Sequence, residues 1–279
     1  MKNKASSIFK NQIEKPQKRG KFRKILGREY FILKRKMQWL KNYKNFAKAD
    51  ASVNLPYSVM KHKSLLLRPL KDVDMYLQKN KITNLQIAIS HINNVVIKPN
   101  QTFSVWRMVG RPKKYKGYFD GLVLENGKIS KGTGGGLCQL GNLLYWLALH
   151  TSLTISERWR HSYDVFPDIN RTIPFASGAT LSYNYIDLQL FNNTNATFQI
   201  KLWLDDEYLN GEILCNEKPA AKYEIFETDH CFEHQWWGGY TRHNKIWKRI
   251  IDVSDGTTTQ ELIAENAAIM MYNPMLENK

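Results

Sequence analysis

A single cysteine stands directly behind a run of glycines in the stretch GTGGGLCQLGNLLYWLALH, residues 132 to 150. The apolar periodicity that follows predicts a helix that begins at about Leu137 or Cys138. The thiol would then lie in the first turn, where the partial positive charge of a helix N-terminus favours a thiolate and stabilises a developing oxyanion. Cys138 is therefore a candidate nucleophile, and a buried structural cysteine is the alternative interpretation.

A thiol nucleophile needs a proton acceptor, and the segment ERWRHSYDVFPD, residues 157 to 168, contains a histidine. The imidazole of His161 would take the thiol proton and later donate it to a leaving group, while a carboxylate would fix its tautomer. Asp164 and Asp187 are both candidates for that orienting carboxylate. A surface or capping role is the alternative interpretation of His161.

The segment DHCFEH, residues 229 to 234, carries metal-ligand side chains at His230, Cys231 and His234. Two CxxC or HxxxH pairs, which would complete a closed zinc site, are missing. A zinc-dependent hydrolase is thus only an alternative hypothesis, and we expect no resident metal or cofactor. The glycine run is not a phosphate-binding loop, because Leu137 and Cys138 stand where that loop needs Lys followed by Ser or Thr.

The candidate residues must be positioned by the helices and strands around them, and the sequence patterns predict helices and strands in alternation along the chain. Residues 71–97 predict a helix through Ile92 and then a short strand, and residues 98–112 predict a short aromatic strand between two turns. Residues 121–130 have the form of a hairpin around Asn126-Gly127.

Two later segments, residues 185–194 and 198–214, alternate apolar and polar side chains, which is typical of antiparallel strands with one buried face. The tail from residue 260 to residue 272 predicts a helix. The sequence as a whole predicts an α+β fold in which antiparallel strands pack around a central helix that starts at the glycine-rich cysteine box.

The basic charge of the chain is concentrated at one end. Of the 279 residues, the first 50 hold 16 Lys and Arg against three acids, whereas the remainder holds 25 against 22. We therefore expect a basic N-terminal arm over residues 1–50 and a single domain over residues 51–279. Within that domain we expect a core at residues 85–215 and an aromatic C-terminal extension at residues 216–279.

The arm carries an amphipathic helix pattern in which the apolar positions recur in steps of four and three. These positions are Leu26, Tyr30, Leu33, Met37 and Leu40. The apolar stripe would pack on the main domain or lie on an anionic membrane surface. The arm has no nucleic-acid-binding motif, so we expect no nucleic acid partner. Because the first 24 residues are polar and basic and no segment reads as a membrane span, we expect a protein in the cytoplasm or at the inner membrane face.

Several segments together resemble the VanW family, which is named for an accessory protein of vancomycin-resistance gene clusters in Gram-positive bacteria. The box GGGLCQ is the most specific of these elements, and the others are NQTFSVW, VGRP, ERWRHSYDVFPD and YIDLQLFNNT. The resemblance extends from about residue 85 to residue 215. It implies a bacterial protein linked to the cell wall and, for some exported members, L,D-transpeptidase activity with the boxed cysteine as nucleophile.

Applied to this sequence, the resemblance implies that Cys138 attacks the carbonyl of a peptidoglycan stem peptide or precursor and that His161 acts as acid and base. An amine from a neighbouring stem would resolve the thioester. The residues expected to bind substrate or shape the oxyanion pocket are Gly134, Gly135, Gly136, Gln139 and Arg160. The alternative function is a non-catalytic accessory protein that binds a wall precursor or a membrane partner through its aromatic C-terminal surface and basic arm.

Overall fold

The computed structural model describes residues 20–67, 74–125, 127–166, 172–184 and 186–274, and every structural statement below refers to these residues. Residues 1–19 of the predicted basic arm and Asn126 of the predicted hairpin turn lie outside them.

The described part of the chain forms four α-helices. They are α1 (Lys21–Lys41), α2 (Met75–Ile92), α3 (Val105–Val109) and α4 (Cys138–Leu149). The predicted start of the cysteine helix is confirmed, because α4 begins at Cys138, and the predicted end of α2 at Ile92 is also confirmed. None of the described helices has the length and apolar character needed to cross a membrane.

The strands outnumber the helices and make up most of the regular structure. They are β1 (Lys48–Ala49), β2 (Tyr57–Leu65), β3 (Val95–Ile97), β4 (Thr102–Ser104), β5 (Asp120–Glu125), β6 (Lys128–Thr133), β7 (Thr154–Glu157), β8 (Tyr163–Asp164), β9 (Gln189–Phe191), β10 (Phe198–Leu204), β11 (Tyr208–Cys215), β12 (Ala221–His234), β13 (Tyr240–Asp252) and β14 (Thr258–Met270). Helices and mainly antiparallel strands together confirm the predicted α+β class.

The described strands form four sheets. A five-stranded sheet has the order β1-β3-β10-β11-β2, and a four-stranded sheet has the order β12-β13-β14-β8, in which β8 runs parallel to β14. A three-stranded sheet, β4-β9-β7, and the hairpin β5-β6 complete the set. Both segments predicted from alternation contain antiparallel strands: residues 198–214 hold β10 and most of β11, which pair with each other, and residues 185–194 hold β9, which pairs with β4 and β7.

Helix α4 is fixed in the core by its packing against β2 and β11. Its leucines at positions 143, 144 and 147 are almost fully buried. A side chain at Gly211 of β11 would place a Cβ 2.8 Å from Leu147 Cδ1, so only glycine lets the strand approach the helix this closely. Burial of each leucine contributes roughly 1.5–3 kcal/mol, which holds the first turn of α4 and its cysteine in place.

The predicted helix at residues 260–272 is wrong, because that segment forms β14. The Ala- and Glu-rich sequence favours a helix locally, but antiparallel pairing along β13, with Asn244 opposite Asn266, satisfies the same backbone groups in a sheet.

The prediction for residues 98–112 was incomplete. The short strand β4 is present, but α3 follows it, because the Ser104 hydroxyl accepts the N–H of Arg107 and caps the helix.

Candidate functional site

The glycine run forms the turn that leads from β6 into α4. Gly134 and Gly136 adopt φ angles of +77° and +92°, in the left-handed region that glycine enters without strain. A Cβ on Gly135 would lie 2.2 Å from the carbonyl carbon of Gly121. The turn thus needs glycine for its backbone path and for close packing against β5, whether or not a ligand binds there.

A buried side chain that the sequence analysis missed, Asn84 of α2, holds this turn. Its amide nitrogen donates to the carbonyls of Gly135 at 2.9 Å and Phe119 at 3.1 Å. Its amide oxygen accepts the Phe119 N–H at 2.9 Å. A buried polar side chain with satisfied bonds of this kind fixes one arrangement of the backbone around it.

The Cys138 thiol lies against the backbone of Leu181. Its sulfur accepts the Leu181 N–H at 3.4 Å and is 3.8 Å from the Leu181 carbonyl oxygen. Burial raises the pKa of the Cys138 thiol, and the bond from Leu181 lowers that pKa by a smaller amount. A helix N-terminus contributes roughly 0.3–1 kcal/mol, which is less than one pKa unit. Burial is the largest cause of the shift, and a raised pKa disfavours the thiolate at neutral pH.

Gln139, the residue after the cysteine, anchors α4 to the end of β2. Its amide nitrogen donates to the Ser64 hydroxyl at 3.0 Å and to the Leu65 carbonyl at 2.8 Å. Beside it, a Cβ on Gly136 would lie 2.2 Å from Lys81 Cγ. Gln139 and Gly136 therefore both have packing roles in the described structure.

His161 is half-buried, and burial is the main reason that its pKa is lowered, with the Arg160 charge as a second cause. The imidazole is therefore neutral at neutral pH, the form that a general base requires. Among the described residues, however, no hydrogen bond joins the His161 ring to the Cys138 thiol, to Asp164 or to Asp187. The pairing of His161 with Cys138 therefore stays a prediction.

Asp164 and Arg160 connect the histidine segment to the C-terminal sheet. Asp164 accepts the Tyr272 hydroxyl at 2.9 Å and pairs with Arg242 at 3.4 Å, both largely shielded from solvent. Arg160 donates to the carbonyls of Ala267 and His161, and burial lowers its pKa to about 10. In this arrangement the Arg160 guanidinium binds backbone oxygens.

Asp187, the other predicted orienting carboxylate, lies beneath α3. It accepts the Ser104 hydroxyl at 2.6 Å and the backbone N–H groups of Leu188 at 2.9 Å and Trp106 at 3.2 Å. The pKa of Asp187 is raised to about 7, chiefly by burial and in smaller part by the Glu157 carboxylate. Its hydrogen bonds stabilise the start of α3.

The residues of the zinc hypothesis lie along β12, and His230 is already hydrogen-bonded to another side chain. The His230 ring accepts the Arg242 guanidinium at 2.9 Å, and Cys231 lies opposite His243 in the sheet register. The described ranges contain no group of three His, Cys, Asp or Glu side chains placed to hold a metal ion. The zinc hypothesis therefore has no structural support.

The fold and site define a class: an α+β protein in which a glycine turn leads into a cysteine-bearing helix. Residues 80–214 match the family of VanW-like proteins. The chain thus carries a VanW-like domain at residues 80–214.

Two relatives are similar to this chain. The Vancomycin B-type resistance protein VanW of Enterococcus faecalis (strain ATCC 700802 / V583) is 39% identical over 180 residues, which cover 64% of this chain and 66% of that protein. Uncharacterized protein YoaR of Bacillus subtilis (strain 168) is 30% identical over 123 residues, which cover 44% of this chain and 39% of that protein. The chain thus spans slightly less than two thirds of the first relative and about two fifths of the second. No solved structure gives a significant match.

Proposed function

We propose that this protein contributes to vancomycin resistance as a non-catalytic accessory protein that binds a peptidoglycan precursor. The link to resistance is supported by the 39% identity to a protein named for vancomycin B-type resistance. The non-catalytic role is supported by the position of Cys138, whose sulfur accepts the Leu181 N–H at 3.4 Å, and by burial, which raises the pKa of that thiol. A cysteine nucleophile needs the thiolate form, which this environment disfavours.

The hairpin of β12 and β13 supports a binding role. Its tip carries Trp236, which is 85% exposed, and Trp237, and the two rings meet edge to face with centroids 5.7 Å apart. Tryptophan offers a large apolar surface and one N–H donor, which suits contact with sugars and peptides. Exposed tryptophans of this kind are frequent binding hot spots.

A cysteine-dependent acyl transfer on stem peptides is the second candidate function. The placement of Cys138 in the first turn of α4, behind a glycine turn, favours it. In that case Cys138 would attack a stem-peptide carbonyl, and a neutral His161 would serve as the base. This function requires a direct or water-bridged contact between His161 and the Cys138 thiol.

The two functions are distinguished by vancomycin susceptibility in a vancomycin-resistant strain that encodes this protein. The variants are Cys138→Ala, the paired change Trp236→Ala with Trp237→Ala, and Cys231→Ala as a matched control at another partly exposed thiol. The accessory function predicts that resistance survives both cysteine changes and falls with the tryptophan pair. Loss of resistance in Cys138→Ala, at unchanged protein level and melting temperature, would establish acyl transfer instead. Unchanged resistance after deletion of the whole protein would overturn the link to resistance.

A further inference from the structure

Helix α1 turns its apolar stripe towards solvent. The face that contacts the rest of the protein contributes Ile32 and Trp39, which are buried. The face that points away carries six apolar side chains in steps of four, four, three, four and three residues, which keep them on one side of a helix. We call these residues the α1 stripe, and they are Phe22, Leu26, Tyr30, Leu33, Met37 and Leu40, all between 56% and 75% exposed.

The orientation of α1 is fixed by an ion pair on the buried side. Arg35, three residues after Ile32 and four before Trp39, donates to both carboxylate oxygens of Glu157, at 2.6 Å and 2.7 Å. The side chains of this pair are only 16% and 18% exposed. A two-bond arginine–carboxylate pair shielded in this way resists rotation of the helix, so the stripe does not pack on the domain.

Lysines border the α1 stripe on both sides. Lys34 follows Tyr30 by four residues, Lys41 follows Met37 by four, and Lys36 follows Leu33 by three. Residues at these spacings are neighbours on a helix surface. From Lys21 to Lys41 the helix contains eight Lys and Arg and one acid, Glu29.

This charge distribution selects among the surfaces that could cover the stripe. A second copy of α1 laid against the first would bring two strongly basic faces together, and like charges repel across such a contact. An anionic bilayer instead offers phosphate groups to the lysines and an apolar layer to the stripe, as in other helices that lie in the membrane interface. Both the charges and the apolar side chains are then satisfied.

We propose that α1 binds the surface of an anionic phospholipid membrane, with the α1 stripe inserted among the acyl chains and Lys34, Lys36 and Lys41 on the headgroups. The helix is about 30 Å long and lies parallel to the membrane plane. This activity goes beyond the proposed function, because it concerns where the protein is held and is independent of any ligand at the hairpin tip.

The test is sedimentation of the full chain with two kinds of vesicle, phosphatidylcholine alone and phosphatidylcholine mixed with phosphatidylglycerol. The first variant is Leu33→Ser with Met37→Ser, and its matched control is Leu262→Ser with Met271→Ser, which alters exposed residues of the same types at the other end of the chain. The second variant is Lys34→Gln with Lys41→Gln. All of the changed side chains are exposed, so an unchanged melting temperature confirms that folding is intact.

We expect wild type and the Leu262/Met271 control to bind the anionic vesicles equally and the neutral vesicles weakly. The Leu33/Met37 variant should lose about tenfold or more in affinity, and the lysine variant about fivefold for each charge removed. Equal binding by the Leu33/Met37 variant and wild type would overturn the proposal. So would equal binding of wild type to both vesicle types. Failure of wild type to bind, together with a concentration-dependent dimer that the Leu33/Met37 variant lacks, would identify the stripe as a protein interface.

Discussion

Replacement of Asp187 by Asn should change how the stability of the protein depends on pH. Asp187 is fully buried, and its pKa is raised to about 7, chiefly by burial. A raised pKa means that the folded state holds the proton more tightly than the unfolded state does. The stability that protonated Asp187 contributes is therefore complete below the unfolded pKa of about 3.9 and is lost as pH rises through about 7.

The size of the effect follows from the two pKa values. The pKa rises by about three units, from about 3.9 to about 7. At 1.36 kcal/mol per unit, the unfolding free energy of the wild type should fall by about 4 kcal/mol over this pH range, whereas that of Asp187→Asn should not. Asparagine accepts the N–H groups of Trp106 and Leu188 through its amide oxygen and cannot ionise. If the substitution also alters the contact with Ser104, the difference in unfolding free energy shifts by an amount that does not vary with pH.

Urea denaturation at intervals from about pH 4 to about pH 8.5 measures the difference in unfolding free energy between wild type and Asp187→Asn. This difference, wild type minus variant, should fall between about pH 4 and about pH 7 and then level off. A constant difference would refute the assigned pKa, and a rising one would show that the hydrogen bonds outweigh burial. Asp120→Asn is the control: bonds from Lys114 and Thr133 lower the pKa of Asp120, so its stabilising effect is lost only below about pH 4 and its difference from wild type should stay nearly constant across the measured range.

Two substitutions test the turn that precedes the cysteine. Gly136→Ala should destabilise the protein by about 1–3 kcal/mol, because its φ is +92° and the new Cβ would meet Lys81 Cγ at 2.2 Å. Gly256→Ala, at φ +73° with open space around it, should lower the melting temperature less, and equal shifts would contradict the role of the clash. Asn84→Ala should cost about 2–4 kcal/mol in urea denaturation, since it leaves buried backbone groups, including the Gly135 carbonyl, without partners. A loss below about 0.5 kcal/mol would mean that the turn does not depend on Asn84.

Local sequence signals were enough to predict some elements. The glycines and the apolar period behind them mark the start of α4 at Cys138, because both the turn and the helix are encoded within a few residues. Strict alternation likewise predicted β10 and β11. Strand β14 was missed, because its Ala- and Glu-rich residues favour a helix until β13 is available as a partner.

The candidate site was predictable in its position but not in its connections. The sequence places Cys138 at a helix N-terminus, and the structure agrees. Chain spacing does not reveal that Asp164 pairs with Arg242, 78 residues away, or that Asp187 caps the start of α3. These contacts depend on how the sheets pack. The apolar stripe of α1 was likewise visible in the sequence, but its outward orientation depends on the ion pair between Arg35 and Glu157.

The central claim is that Cys138 is a structural thiol, and its pH-dependent alkylation by iodoacetamide tests that claim most directly. Peptide mass mapping of the native protein gives separate rates for Cys138, Cys215 and Cys231. We predict that Cys138, whose sulfur is hydrogen-bonded to the Leu181 backbone, reacts more slowly than Cys231 and with an apparent pKa above the roughly 8.5 of a free thiol. Fastest reaction at Cys138, with an apparent pKa well below that value, would contradict the account and identify a thiolate nucleophile.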